Sequence, residues 1–195
     1  MRDPDLERPI FVLAGGWRSG STLLQRLLCS HPEVMVWGES RGLLDGLRAG
    51  WEAVEAVQPL SEKNRAALEQ EGHQGWIALA NPPFERFREA LRAFFLTYLA
   101  EPAAARGRPR WGFKEVRHDA PVARWLHGLF PEARFVFLVR HPAACLASAR
   151  GTTRGDRGLL PEVGGSERFL AHWTRITRSF VDGTEGLPGL RLRYE

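Results

Sequence analysis

A run of small and hydroxyl-bearing residues near the start of the chain has the composition of an anion-binding loop. Residues 15–22 read GGWRSGST, after the apolar run 10–13 and before leucines at helical spacing. Glycine lets the backbone turn without a side-chain clash, and the hydroxyls of Ser19 and Ser21 supply acceptors at a helix start. N–H groups at the positive end of a helix bind anions, most often phosphate. The pattern predicts a strand, a phosphate-binding loop and a helix.

The spacing within this loop narrows the phosphate chemistry. Gly15 and Gly20 have the GxxxxG spacing of a nucleoside-triphosphate loop, which requires Lys next and then Ser or Thr. Position 21 is Ser, and the nearby cation is Arg18, inside the loop. The loop can therefore bind an anion but lacks the lysine of a kinase or ATPase. From the loop alone, an ordinary turn between strand and helix is the alternative.

Three more ionisable residues stand where predicted strands end. Glu39 follows the strand 34–37, Lys114 ends the strand 111–114, and Arg140 follows the buried strand 134–139. Open α/β sheets bind ligands at the carboxyl ends of their strands, so these side chains could line one site. Two interpretations of Glu39 are equally good: a catalytic base, or an acid that stabilises the start of a helix through the helix dipole. Lys114 could be a solvated lysine, although a compact ammonium can approach an oxygen that a guanidinium cannot.

The elements between these residues are predicted from periodicity and caps. Helices are expected from about 41 to 48, over 61–71, from Asn81 as N-cap, after His118, over 142–150 and from Ser166 as N-cap, with a last strand over 190–194. An aromatic stripe in the 81–100 region is interpreted as core, and it comprises Phe84, Phe87, Leu91, Phe94, Phe95 and Tyr98. We expect one domain over 1–195, with a helical insertion at about 40–108. The loop 151–165, with Arg154 and Arg157, is expected to order over a bound ligand.

Composition excludes several classes of protein. The 195 residues carry a net charge of +4, with arginines scattered rather than clustered, which favours a small anion over nucleic acid. Cys29 and Cys145 form neither a disulfide framework nor a metal-ligand pattern, so a reducing, cytoplasmic location is expected. No signal peptide is visible, and no apolar stretch is long enough to span a membrane.

Four segments together resemble one enzyme family. RSGST after a strand resembles the 5′-phosphosulfate loop of sulfotransferases, which transfer a sulfuryl group from 3′-phosphoadenosine-5′-phosphosulfate (PAPS) to an acceptor. FVFLVRHPAACLASAR resembles the 3′-phosphate site, with Arg140 and Ser148 at the motif positions. HPEVMVWGES resembles a segment of tyrosylprotein sulfotransferases and related bacterial enzymes, and WGFKEVR resembles the strand that delivers a lysine to the sulfuryl group.

The resemblance implies a three-layer α/β domain related to P-loop NTPases, with a mostly parallel sheet flanked by helices. It implies PAPS as donor and no metal. The residues implied to bind PAPS are Arg18, Ser19, Gly20, Ser21, Thr22, Arg140 and Ser148. Glu39 is the implied base, and Lys114, with Arg18, is implied to stabilise charge during transfer. The acceptor would be a hydroxyl or amine of a small molecule, glycan or peptide.

Two departures from the family pattern bear on these roles. The cytosolic branch carries a catalytic histidine two residues after the lysine, where this chain has Val116, so His118 is a weaker substitute for Glu39. Family members usually continue from a YED-like sequence into more helix, whereas this chain stops at Glu195, so a complete enzyme and a truncated one are both open alternatives. The alternatives are a P-loop kinase or NTPase, a non-catalytic module that binds PAPS or its product, and, more distantly, a nucleic-acid binder.

Overall fold

The computed structural model describes residues 4–151 and 158–195, and within them five strands form one parallel sheet in the order β2-β3-β1-β4-β5. The strands are β1 (Ile10–Ala14), β2 (Val34–Trp37), β3 (Arg110–Glu115), β4 (Arg134–Val139) and β5 (Gly189–Arg193). Helices flank the sheet on both sides, which confirms the predicted α/β fold with a mostly parallel sheet. Arg154 and Arg157, which we expected over a bound ligand, lie outside the described residues.

Helices fill the connections between the strands. They are α1 (Ser21–Cys29), α2 (Leu43–Glu71), α3 (Phe84–Phe95), α4 (Glu101–Ala104), α5 (Ala120–Leu129), α6 (Pro142–Arg150), α7 (Leu159–Glu162) and α8 (Gly165–Gly183). Two 3₁₀ turns (Pro4–Glu7 and Gly72–Gln74) and a π-helical turn (Leu96–Ala100) complete them. Within the described residues, no helix combines the length and the apolar character needed to cross a bilayer.

The central strand β1 fixes the register of the sheet. Ile10 pairs with Gly112 of β3 on one side and with Arg134 of β4 on the other. Residues 11–14 of β1 are fully buried, as expected of a parallel strand covered on both faces. The Phe11 ring lies 5.6 Å from the ring of Phe135. Because β1 is held on both sides, the loop that follows it leaves from a fixed point.

The chain divides into two compact units. One comprises Met1–Glu39 with Tyr98–Glu195 and contains the whole described sheet, and the other comprises Ser40–Thr97. In the second unit, the ring of Trp51 on α2 packs edge-on against Phe84 of α3 at 4.6 Å. We expected two separate helices, from about 41 to 48 and over 61–71. This is wrong, because the single helix α2 runs through Pro59 without a break. Side-chain hydrogen bonds to carbonyls one turn back, from Gln58 and Asn64, flank the proline.

Two predicted helix caps are also wrong. Helix α3 begins at Phe84, whose N–H donates to Oε1 of Gln58 at 3.1 Å, so a side chain from α2 replaces Asn81 as the cap. Helix α8 begins at Gly165, so Ser166 lies within its first turn. Local sequence could not show either, because tertiary contacts and glycine conformations set both starts.

The aromatic stripe is only partly core, so its interpretation as core is wrong at two positions. Leu91 and Phe95 are buried, whereas Phe94 and Tyr98 are 38% and 56% exposed.

Candidate active site

A cleft of about 540 Å³ opens at the carboxyl ends of the strands, within the unit that contains the sheet. Most of the predicted site residues line it: Arg18, Gly20, Ser21, Thr22, Glu39, Lys114, Arg140 and Ser148. Further lining comes from Trp17, Leu23, Val116, Leu159 and Tyr194. Ser19 is the exception among the predicted residues, because it is fully buried and its hydroxyl donates to the carbonyl of Gly16 at 2.8 Å. His118 is buried and does not line the cleft.

The loop after β1 is shaped by close contacts with the rest of the sheet. The N–H of Gly15 donates to the carbonyl of Leu138 on β4 at 2.8 Å. Gly20 has a φ of +91°, and a Cβ there would collide with the ring of Tyr194. Arg18 also lies in the left-handed region, with a φ of +63°, a conformation that costs a non-glycine residue of order 1 kcal/mol. The surrounding structure therefore imposes the loop's shape.

The start of α1 supplies donors to the cleft. Gly20 precedes the helix with no side-chain cap, so the predicted capping role of Ser19 and Ser21 is wrong. The Ser19 hydroxyl is used inside the loop, and Ser21 is the first helical residue. The first helical hydrogen bond runs from the N–H of Leu24 to the carbonyl of Gly20 at 3.0 Å. N–H groups before it have no acceptor within the helix, so they and the helix dipole favour an anion.

The first group of charges, here called the acid cluster, comprises Glu39, Lys114 and Arg117. Lys114 Nζ donates to Glu39 Oε1, and Arg117 Nη1 donates to Glu39 Oε2 at 3.0 Å. Strands β2 and β3 are neighbours, with Trp37 paired to Phe113, so Glu39 and Lys114 leave the sheet side by side. The Glu39 side chain is 26% exposed and that of Lys114 is 7% exposed.

Opposing effects set the ionisation of Glu39. Burial raises the pKa of its carboxyl group, but hydrogen bonds and charges from Lys114 and Arg117 outweigh burial and hold the pKa below its usual value. The carboxylate is thus ionised at neutral pH and can accept a proton. Arg117 was not among the predicted residues. It lies two residues beyond β3, where alternation no longer fixes the side-chain direction, and it belongs to the WGFKEVR segment.

The second group, here called the guanidinium cluster, comprises Arg18, Arg140, Ser148 and Tyr194. Arg18 Nε donates to Ser148 Oγ at 3.0 Å, and Arg140 Nη1 donates to the carbonyl of Arg18 at 3.0 Å. The Arg140 guanidinium lies 4.4 Å from the centre of the Tyr194 ring. Arg140 Nε is buried without a hydrogen-bond partner, and Glu195 Oε1 lies 4.0 Å from it. A buried N–H that lacks an acceptor is suited to a ligand oxygen.

The sulfotransferase family model matches residues 9–195. The chain belongs to the sulfotransferase family. This confirms the predicted family, while the closer likeness to tyrosylprotein sulfotransferases stays a prediction.

Solved sulfotransferase structures show the same fold. The sulfotransferase domain from the curacin biosynthetic pathway is 19% identical with a TM-score of 0.54, and it matches over 95% of this chain and 66% of that one. The sulfotransferase domain from the Synechococcus PCC 7002 olefin synthase is 22% identical with a TM-score of 0.53, over 96% of this chain and 66% of that one. The chain thus spans 66% of the length of each structure. A comparison with curated proteins gives no significant match.

The side chain of His172 packs against the anion loop of this sulfotransferase-family chain. His172 on α8 stacks on Trp17 at 4.1 Å between ring centres, and its Nε2 lies 2.9 Å from the carbonyl of Val116, to which it donates. Burial lowers the pKa of His172, and the nearby charges of Arg175 and Arg117 lower it further against the raising effect of the Val116 carbonyl. The neutral ring therefore ties the loop after β1 to the segment after β3.

Across residues 4–151 and 158–195, no three His, Cys, Asp or Glu side chains are grouped to hold a metal ion.

Proposed function

We propose that the protein transfers a sulfuryl group from PAPS to a hydroxyl or amine of an acceptor. The observation that carries the proposal is that residues of both clusters line one cleft, Glu39 and Lys114 together with Arg18, Arg140 and Ser148. Membership of the sulfotransferase family supports the reaction class. The acid cluster supplies a proton acceptor, and the guanidinium cluster supplies cations for a donor with negative charge at two positions.

The residues present fit PAPS. Arg140 has a buried Nε without a hydrogen-bond partner, and a guanidinium can bind two oxygens of one phosphate. Arg140 and Ser148 would hold the 3′-phosphate, because a hydroxyl can accept from Arg18 and donate to a phosphate at the same time. Arg18, Ser21 and Thr22, with the N–H groups from Ser19 onward, would hold the phosphosulfate.

The catalytic roles follow from the acid cluster. When bound, PAPS supplies the activated sulfuryl group and a phosphate leaving group. Glu39, held ionised by its neighbours, would take the proton from the acceptor, a contribution of roughly 10²–10⁴ in rate. Lys114 would exchange its bond to Glu39 for the leaving oxygen and stabilise the charge there. A well-placed donor of this kind contributes on the order of 3–4 kcal/mol.

Ligand binding tests the donor assignment. Adenosine 3′,5′-bisphosphate (PAP), the desulfated product, should raise the melting temperature of the protein. A concentration 100 times its dissociation constant corresponds to about 2.7 kcal/mol of stabilisation. The variant Arg140→Ala should lose most of this shift, whereas Arg134→Ala, at the other end of β4, should keep it. Stabilisation by ATP with magnesium and not by PAP would overturn the donor assignment and favour a P-loop kinase or NTPase.

Turnover tests the reaction itself. The protein is incubated with PAPS and a panel of phenols, sugars, peptides and amines, and PAP formation is measured. We expect PAP release that depends on one acceptor class. Binding of PAP without turnover on any acceptor would favour a non-catalytic module.

We also propose a reducing location such as the cytoplasm, which is supported by the two cysteines, both free.

A further inference from the structure

We infer that Arg117 is a positioning residue, which holds the Glu39 carboxylate in place through Oε2 while Lys114 changes partner. The inference rests on the proposed function, since it concerns how Glu39 stays oriented as an acceptor of protons. Arg117 is neither part of the anion loop nor one of the residues that line the cleft.

Arg117 is anchored from two directions. Its Nη1 lies 3.0 Å from Glu39 Oε2 and 3.8 Å from Oε2 of Glu115, a side chain that is fully buried. Its carbonyl accepts from Arg175 Nη2 at 3.4 Å, and Arg175 Nη1 donates to Asp119 Oδ2 at 2.6 Å. One nitrogen of the guanidinium thus bonds to Glu39 and lies near a second carboxylate, and the backbone that carries it is tied to α8. A side chain fixed in this way can orient the carboxylate that it contacts.

A second cation is needed because Lys114 has two tasks. In the structure its ammonium bonds to Glu39 Oε1, whereas the proposed reaction moves it toward the leaving oxygen. Without Lys114, a partly buried carboxylate tends to take up a proton or rotate. Arginine stays charged at all relevant pH values and presents rigid donors. Arg117 therefore keeps Glu39 ionised and aligned through the partner exchange.

The charges around Glu39 support these separate roles for Lys114 and Arg117. Lys114 on β3 and Arg117 just after β3 are the cations that act on Glu39 among the described residues. Arg18 and Arg140 line the same cleft but belong to the guanidinium cluster. Glu115 Oε2 lies 3.8 Å from the same Arg117 nitrogen, Nη1, that bonds to Glu39.

A direct titration tests the inference without any need for turnover. The carboxyl carbon of Glu39 is followed by ¹³C NMR against pH, and its resonance is identified by its loss in Glu39→Gln. In Arg117→Gln the pKa of Glu39 should rise, and in Arg117→Lys it should return toward that of the wild type. Arg178→Gln, at an exposed arginine of α8, is the matched control and should leave it unchanged. A Glu39 titration that is the same in Arg117→Gln and wild type would overturn the inference.

Kinetics distinguish positioning from donor binding. In Arg117→Gln we expect kcat to fall about tenfold, with the acidic limb of kcat/KM moved to higher pH, and PAP affinity within about twofold of wild type. Arg117→Lys should recover much of kcat. If PAP affinity falls as far as kcat, Arg117 binds the donor and the inference is wrong. If the wild type transfers no sulfuryl group, the proposed function fails, whereas the titration still decides the role of Arg117.

Discussion

The two clusters in the cleft hold their cations in opposite ways. In the acid cluster, Lys114 and Arg117 are both bonded to a carboxylate, that of Glu39. In the guanidinium cluster, Arg18 and Arg140 contact a hydroxyl, a carbonyl oxygen and an aromatic ring. An anion that enters the guanidinium cluster meets cations whose hydrogen-bond partners are neutral, although the Glu195 carboxylate lies 4.0 Å from Arg140. An anion that enters the acid cluster must compete with a charge already present.

The two clusters lie at different strands of the sheet, so residues suited to binding an anion are separated from those suited to proton transfer. The acid cluster comes from β2 and β3, and the guanidinium cluster from the ends of β1, β4 and β5, on the other side of the strand order. Neutral hydrogen-bond partners cost an arriving phosphate little, and the exposed Glu195 carboxylate is a weak competitor at 4.0 Å from Arg140, so the guanidinium cluster is suited to affinity. A carboxylate with two cations is suited to a proton transfer coupled to an exchange of partners. Variants in the two clusters should therefore affect different measurable quantities.

The largest expected effect separates turnover from affinity. In Glu39→Gln, sulfuryl transfer should fall by roughly 10²–10⁴, because the proton acceptor is lost. PAP affinity should be retained or improved, since Lys114 and Arg117 lose their competing carboxylate. Steady-state PAP release and calorimetric PAP binding measure the two quantities, with Glu132→Gln, at an exposed surface carboxylate, as the control. Unchanged turnover in Glu39→Gln would remove Glu39 from the chemistry.

The next effect should appear in affinity. Arg140→Ala should weaken PAP binding about 10- to 100-fold, as expected when hydrogen bonds from a charged group are lost. At saturating donor, kcat should change much less than affinity. Calorimetry of PAP binding and kcat at saturating PAPS provide the check. A fall in kcat as large as the fall in affinity would show that the two clusters do not divide binding from chemistry.

A smaller effect tests the aromatic contact in the guanidinium cluster. Tyr194→Leu should weaken PAP binding about two- to fivefold, because the Arg140 guanidinium loses the ring that lies over it. Tyr194→Phe keeps a ring and should bind PAP nearly as wild type does. If Phe and Leu behave alike, the ring does not position Arg140, and the hydroxyl of Tyr194 is the group to examine.

The smallest expected effect is on the pH dependence of folding stability. The pKa of Glu39 lies below the usual value of 4.5 in the folded protein, so the stability it contributes is fully present above pH 4.5. As the pH falls from there through the folded pKa, the unfolded state binds the proton first and that stability is lost. Melting temperatures measured across this range should fall more steeply for wild type than for Glu39→Gln. Parallel curves would contradict the ionised pair.

The sequence predicted the site residues whose positions depend on local structure and missed those placed by contacts between distant segments. Glu39, Lys114 and Arg140 were found because each stands at the end of a short apolar run, and parallel strands bring such ends to one edge. Arg117 was missed because it lies beyond β3 and the carboxylate that it bonds, Glu39, is 78 residues away in sequence. Tyr194 was missed because its place over Gly20 depends on where the strand before it pairs in the sheet.

Local signals also failed where packing between elements decides. Pro59 favours a helix end, yet α2 continues through it. The hydroxyl of Ser19 was expected at the helix start, but the left-handed conformation of Gly20 turns the chain so that Ser19 bonds back to Gly16. In both cases a propensity that holds for an isolated segment is overridden by tertiary structure.

The central position of β1 has a consequence for how the protein is made. β1 and the anion loop are synthesised well before both neighbours of β1, and the loop's Gly15 is held by Leu138 of β4. Pairing between segments so distant in sequence forms slowly. The loop therefore cannot reach its binding geometry on the ribosome until β4 has emerged. A nascent chain released before that point should not be retained on a PAP affinity resin.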